Sequence, residues 1–139
     1  MAGILSKDIT LSYKETANGT YAQIHNLQET PDIGGAANQV DVTTLENESY
    51  VYINGLRENS EMTFVFLYDN DEATSNYRIC RDLEEGGNAV YWKVELPDET
   101  AFEFTGQCST TIIGQGVNSA IQFNLTINRN SDITVTNPA

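Results

Sequence analysis

Apolar and polar side chains alternate with a period of two through most of the chain. Ile9, Leu11 and Tyr13 share one side of a first segment, with Thr10, Ser12 and Lys14 on the other. Asn18-Gly19 supplies hairpin-turn chemistry leading to a second strand around Tyr21 to Ile24. Val90, Trp92, Val94 and Leu96 alternate with Tyr91, Lys93 and Glu95, and Pro97-Asp98 predicts a turn. Phe102, Phe104 and Gly106 then face inward opposite Glu103, Thr105 and Gln107. The clearest strand is the last, with Ile121, Phe123, Leu125 and Ile127 inside and Gln122, Asn124, Thr126 and Asn128 outside. Half-buried antiparallel strands produce this pattern.

The run from Met62 to Tyr68 differs. Met62, Phe64, Phe66 and Tyr68 line one face, and Val65 and Leu67 occupy the other, which predicts a strand covered on both sides. One helix is expected over about residues 75–85, where Ile79, Cys80 and Leu83 fall on one side and Gly86-Gly87 ends it. Glu84 and Glu85 at its C-terminal end oppose the helix dipole, so packing must hold it. Roughly seven antiparallel strands and one helix predict a mainly β fold, an antiparallel β-sandwich or barrel with one flanking α-helix. The chain reads as a single domain over residues 1–139, with a polar C-terminal arm at about residues 129–139 that forms an arm or a short edge strand.

Between the second strand and Met62 lies a polar, turn-rich stretch at about residues 27–59, read as one long extended loop. Long structureless connections are uncommon in compact domains unless they have a function. This one carries single apolar residues at intervals, among them Ile33, Val40, Val42, Leu45, Tyr50, Tyr52 and Ile53. Those side chains need a partner surface, and a second copy of the chain would provide it.

Charge narrows the function. Twenty acids against seven bases give a net charge of −13, spread along the chain rather than gathered in a tail. Nucleic-acid binding rests on Lys and Arg neutralising phosphates, so this composition argues against it. No apolar run approaches a bilayer span, and the N-terminus MAGILSKDIT lacks a basic region and an apolar signal core, which predicts a soluble protein that stays in its compartment. Cys80 and Cys108 show no metal-ligand spacing and read as free thiols.

Catalytic chemistry finds no support. His25 is the single histidine, and the sequence offers it no partner. Asp69-Asn70-Asp71-Glu72 starts like a calcium loop, but Ala73 and Thr74 break the spacing, and acids before a helix serve as caps. Gly114-Gln115-Gly116 completes neither a dinucleotide fingerprint nor a P-loop. Trp92 alternates with Val90 and Val94 on an inward face and reads as core. The expectation is no enzyme, no catalytic or metal residues and no cofactor.

Four elements in order carry a resemblance. Pro31-Asp32-Ile33-Gly34-Gly35 is followed by Asp41-Val42-Thr43-Thr44-Leu45, then Tyr52-Ile53-Asn54-Gly55, then Glu61 leading into Met62-Thr63-Phe64-Val65-Phe66. Together these resemble the major tail (tail tube) proteins of long-tailed bacteriophages over about a third of the chain. The resemblance implies hexameric rings stacked into a hollow tube for DNA passage, with the long loop at contacts between subunits and Ile33, Val42, Leu45, Tyr50, Tyr52 and Ile53 as interface candidates. It implies partners in the chain itself and in tape measure and terminator proteins, with DNA in the lumen unbound and no membrane. The implied location is the virion tail, after assembly in the host cytoplasm. Some of the negative charge would then face the channel and repel the duplex. The alternative is a non-enzymatic β-sandwich binding module for a carbohydrate or receptor, using exposed Tyr and Asn side chains in residues 47–54.

Overall fold

A computed structural model describes residues 7–33, 37–57, 61–114 and 116–138. Gly34-Gly35, the end of the expected loop at residues 58–59 and Gln115 lie outside the described residues. The strands are β1 (Thr10–Lys14), β2 (Ala22–Ile24), β3 (Leu27–Glu29), β4 (Ala37–Asp41), β5 (Tyr52–Arg57) and β6 (Glu61–Leu67), followed by β7 (Val90–Glu95), β8 (Ala101–Ile112), β9 (Gln122–Arg129) and β10 (Thr134–Thr136). One helix, α1 (Asn76–Gly86), separates β6 from β7. The fold is mainly β and antiparallel throughout, as the alternation predicts.

The main sheet runs β2-β1-β7-β8-β9-β6-β3, with β10 added to β8. Its central strand, β8, changes partner midway. Ala101–Gly106 pairs with β7, and Gly106–Ile112 pairs with β9. The sheet therefore divides into two halves joined by one continuous strand, and their inner faces share one core. Leu11, Ile24, Val90, Trp92, Val94 and Phe104 come from the first half, and Met62, Phe64, Phe66, Phe123, Leu125 and Ile127 from the second.

Gly106 sits where the change of partner occurs, and the site requires glycine. A Cβ there would collide with the Asn128 carbonyl oxygen and stand 3.0 Å from Arg129 Cα. The Gly106 carbonyl also accepts a 3.1 Å hydrogen bond from Trp92 Nε1, which satisfies the polar atom of the largest core side chain. Trp92 is core, as its alternation predicts.

Helix α1 lies against the second half, packed on β8. Cys80 and Leu83 are buried, and the Tyr77 ring meets Phe123 edge-on at 5.4 Å while Phe66 stacks on Phe123 at 5.3 Å. The double cover expected for β6 is therefore half right. Met62, Phe64 and Phe66 are buried beneath the core, whereas Val65 and Leu67 on the other face are only half-buried. Gly87 ends the helix at φ 67°, its N–H donating to the Glu84 carbonyl. The two glutamates at this end are held by Arg81, at 2.9 Å to Glu84 and 3.0 Å to Glu85. Thr110 Oγ1 donates to Glu84 at 2.8 Å.

Asn76, at the start of the helix, is buried and fully used. Its Nδ2 donates to the carbonyls of His25 (2.9 Å) and Leu67 (2.8 Å), and its Oδ1 accepts from the N–H groups of Asp69 (3.1 Å) and Tyr77 (2.6 Å). One side chain thus pins the β2–β3 turn, the end of β6 and the head of α1 together.

Candidate assembly surface

The stretch expected to be one long loop contains three strands. β3 joins the main sheet beside β6. β4 and β5 form a separate two-stranded antiparallel hairpin that pairs with nothing else in the described residues. Its register sets Val40 opposite Ile53 and Asp41 opposite Tyr52, and Val42 N–H continues the ladder to the Val51 carbonyl at 3.0 Å. The end of the hairpin is ordered by short polar side chains. Asp41 Oδ1 accepts from Thr43 N–H at 2.9 Å, Thr43 Oγ1 accepts from Val51 N–H at 2.7 Å, and Asn47 Oδ1 accepts from Thr44 N–H at 2.8 Å. The bonds from Thr43 hold the Asp41 carboxyl below its ordinary value. The bond from Thr44 occupies the Asn47 oxygen that the binding-module alternative would offer to a ligand.

Period-two geometry converts this register into two faces. One carries Val40, Val42, Val51 and Ile53, four β-branched side chains that remain 45%, 38%, 38% and 54% exposed. The other carries Tyr50 and Tyr52, also exposed, and Leu45 projects fully into solvent at the tip. Of the six interface candidates, Val42 and Ile53 thus share the aliphatic face, Tyr50 and Tyr52 the opposite one, and Leu45 the tip. Ile33 is not with them. It is half-buried and packs against the main core. Val40 and Val51 belong to the aliphatic face although they were not among the six, and the alternation in Val40-Asp41-Val42 and Val51-Tyr52-Ile53 was the signal for it. A second exposed apolar group, Ile112, Val117 and Ile121, lies at the β8–β9 connection.

The remaining chemistry is structural. The acids of the Asp69–Glu72 turn do not cap the helix as expected. Ser75 is the N-cap residue and makes no side-chain cap bond, its Oγ accepting instead from Glu72 N–H at 2.9 Å, and Arg78 Nε donates to Asn70 Oδ1 at 3.0 Å. No group of three His, Cys, Asp or Glu side chains among the described residues could hold a metal ion. His25 is exposed, and it is its backbone carbonyl that Asn76 uses. Cys80 and Cys108 are free thiols; burial pushes Cys80 far up, and burial together with the Glu84 charge pushes Cys108 up to about 11. Both therefore stay protonated at neutral pH. No helix among the described residues is long and apolar enough to cross a membrane.

On the outer face of the β2-β1-β7 half, Lys14 Nζ stands 4.6 Å over the Tyr21 ring and 5.5 Å over Tyr91, with Lys93 Nζ at 5.4 Å from Tyr21. Lys93 also pairs with Glu95 at 3.2 Å. Burial, and then the neighbouring Glu103 carboxylate, push the Tyr21 hydroxyl up to about 12.

The described residues thus form an antiparallel β protein with one packed helix and an exposed apolar hairpin. Residues 10–138 match the family described as phage tail tube protein, TTP, and the chain belongs to it. Solved structures agree in fold. A chain from the tail of an empty gene transfer agent particle, refined with C6 symmetry, superposes with a TM-score of 0.76 at 21% identity, covering 96% of this chain and 99% of that one. A chain from the virion of a native gene transfer agent particle gives 0.73 at 17% identity, with the same coverage. The SPP1 tail tube protein gives 0.74 at 10% identity, covering 97% of this chain and 80% of that one. No curated protein matches the chain.

Proposed function

We propose that this protein assembles into hexameric rings that stack as the hollow tube of a phage tail, through which DNA passes without specific binding. The observation that carries this reading is the β4–β5 hairpin. An isolated two-stranded hairpin is marginally stable in water, and this one pairs with no other strand and presents a partly exposed aliphatic face among the described residues. Burying such a side chain completely is worth about 1.5–3 kcal/mol, so a neighbouring copy that covers the face gains a strong contact. Sheet edges at β2 and β3, which no further strand joins among the described residues, add backbone groups of the kind that ring closure satisfies. Family membership and the C6 symmetry of the gene transfer agent tail support the ring. The protein then resides in the virion tail after assembly in the host cytoplasm, and meets other tail proteins such as tape measure and terminator proteins.

Electron microscopy of the concentrated protein tests this reading. Tubes or stacked rings are expected for the native chain. Val42→Asp with Ile53→Asp should abolish them while leaving the circular dichroism of the subunit intact, because the hairpin pairs with nothing in the main sheet. A native chain that stays monomeric at every concentration would overturn the reading.

A further inference from the structure

The chain has two cysteines, and the fold brings them into one contact. Cys80 lies on the buried side of α1, and Cys108 is half-buried on β8, 28 positions further along the chain. Cys108 Sγ stands 3.9 Å from the Cys80 carbonyl oxygen, to which its S–H donates. The C-terminal part of the helix meets β8 through two further side chains. Thr110 Oγ1 donates to Glu84 at 2.8 Å, and Gln107 Nε2 donates to the Gly87 carbonyl at 2.9 Å. Helix and strand are thus held side by side, with a sulfur on each.

Packing alone accounts for a buried cysteine as a small apolar residue. It does not account for a second sulfur set against the first and half in contact with solvent. The two thiols also differ in reach. Cys108 is the more exposed, and burial with the nearby Glu84 charge pushes its thiol up to about 11, while deeper burial pushes Cys80 further still. The thiolate is the attacking species, so Cys108 is where an oxidant enters.

We propose that Cys80 and Cys108 form a latent disulfide: two thiols in a reducing compartment, and a covalent staple between α1 and β8 once the protein meets a disulfide oxidant. The Cys108 thiolate attacks one sulfur of a low-molecular-weight disulfide such as oxidised glutathione and expels one half of it as a thiolate. Cys80, its proton passed to solvent, then attacks Cys108 Sγ in the mixed disulfide and expels the second half. Two protein thiols lose two electrons and two protons, and one external disulfide becomes two thiols. A reducing cytosol keeps the pair open. The occasion for closure rests on the tube reading above, since a particle built in the cytosol acts outside it; the bridge itself needs no tube. Its effect is to add a covalent bond to a helix otherwise held by packing and side-chain hydrogen bonds, and to tie that helix to the strand both halves share.

Mass spectrometry of the native chain tests this. The folded protein is held with oxidised glutathione at mildly alkaline pH, remaining thiols are alkylated after unfolding, and tryptic peptides are mapped. The intact mass should fall by two hydrogens, with the peptide of residues 79–81 joined to that of residues 94–129. Closing this loop should raise the thermal midpoint by roughly 10 °C, and dithiothreitol should reverse the shift. Cys108→Ser should show neither the mass change nor the shift, and its Cys80 should stay free of glutathione. Three results would each overturn the inference: no closure in the folded state, glutathione left on Cys108 beside a free Cys80, or disulfide-linked dimers. All are read on the isolated subunit and leave the tube reading untouched. A native chain that forms no tubes would in turn leave the bridge standing.

Discussion

Two residues hold positions that no substitution fills, for opposite reasons. Gly106 is needed because the backbone of β9 crosses too close for any side chain. Gly106→Ala should force β8 and β9 apart and cost about 1–3 kcal/mol by overpacking, read as a lower urea midpoint with an unchanged slope. Asn76 is needed for its amide, which joins three segments through four hydrogen bonds. Asn76→Ala leaves buried carbonyls without donors and should destabilise the subunit by about 3 kcal/mol, measured by the same unfolding curves. The glycine shows in the sequence as an inward position in an alternating strand. The asparagine does not, because its partners lie in segments distant from it in the chain and meet only in the fold.

Among the elements, those with enough alternating positions were legible. β1, β6, β7, β8 and β9 each place at least two apolar residues on one face, and the period identifies them. β3 and β10 are three residues long and too short to show a period. The β4–β5 hairpin was hidden differently. Asp, Asn, Thr and Gly surround its short alternating runs, and these are turn formers whose polarity reads as loop. In the structure Asp41, Thr43, Thr44 and Asn47 close the end of the hairpin. The sequence therefore points to the apolar side chains that need a partner, while their division into two faces emerges only from the register. The helix end was equally instructive. Glu84 and Glu85 oppose the dipole, yet Arg81 and Thr110 hold them in place. Burial works against ionisation of Glu84, but the bonds from Thr110 and Arg81 outweigh it and keep its carboxyl below the ordinary 4.5. A carboxyl depressed in the folded state adds stability above its unfolded value and loses it as pH falls through the folded one. Glu84→Gln should therefore flatten the acid side of the stability profile below about pH 4.5, followed by urea midpoints against pH.

At the scale of the whole molecule, negative charge is spread widely. The acids occupy turns, helix ends and the hairpin tip, and also strand positions such as Glu29, Glu61, Glu95 and Glu103. Hydroxyl and amide side chains from Ser109, Thr111, Asn124, Thr126 and Thr63 lie side by side across β8, β9 and β6.

The strand that both halves share has a mechanical meaning as well. Because β8 runs unbroken from one half into the other, a pull on either is transmitted through peptide bonds and not only through dispersion contacts in the core. Each subunit then behaves as a stiff brick. A long cylinder made of such bricks would flex at the seams between copies, where hairpins and open edges touch, while the interior of each brick keeps its shape.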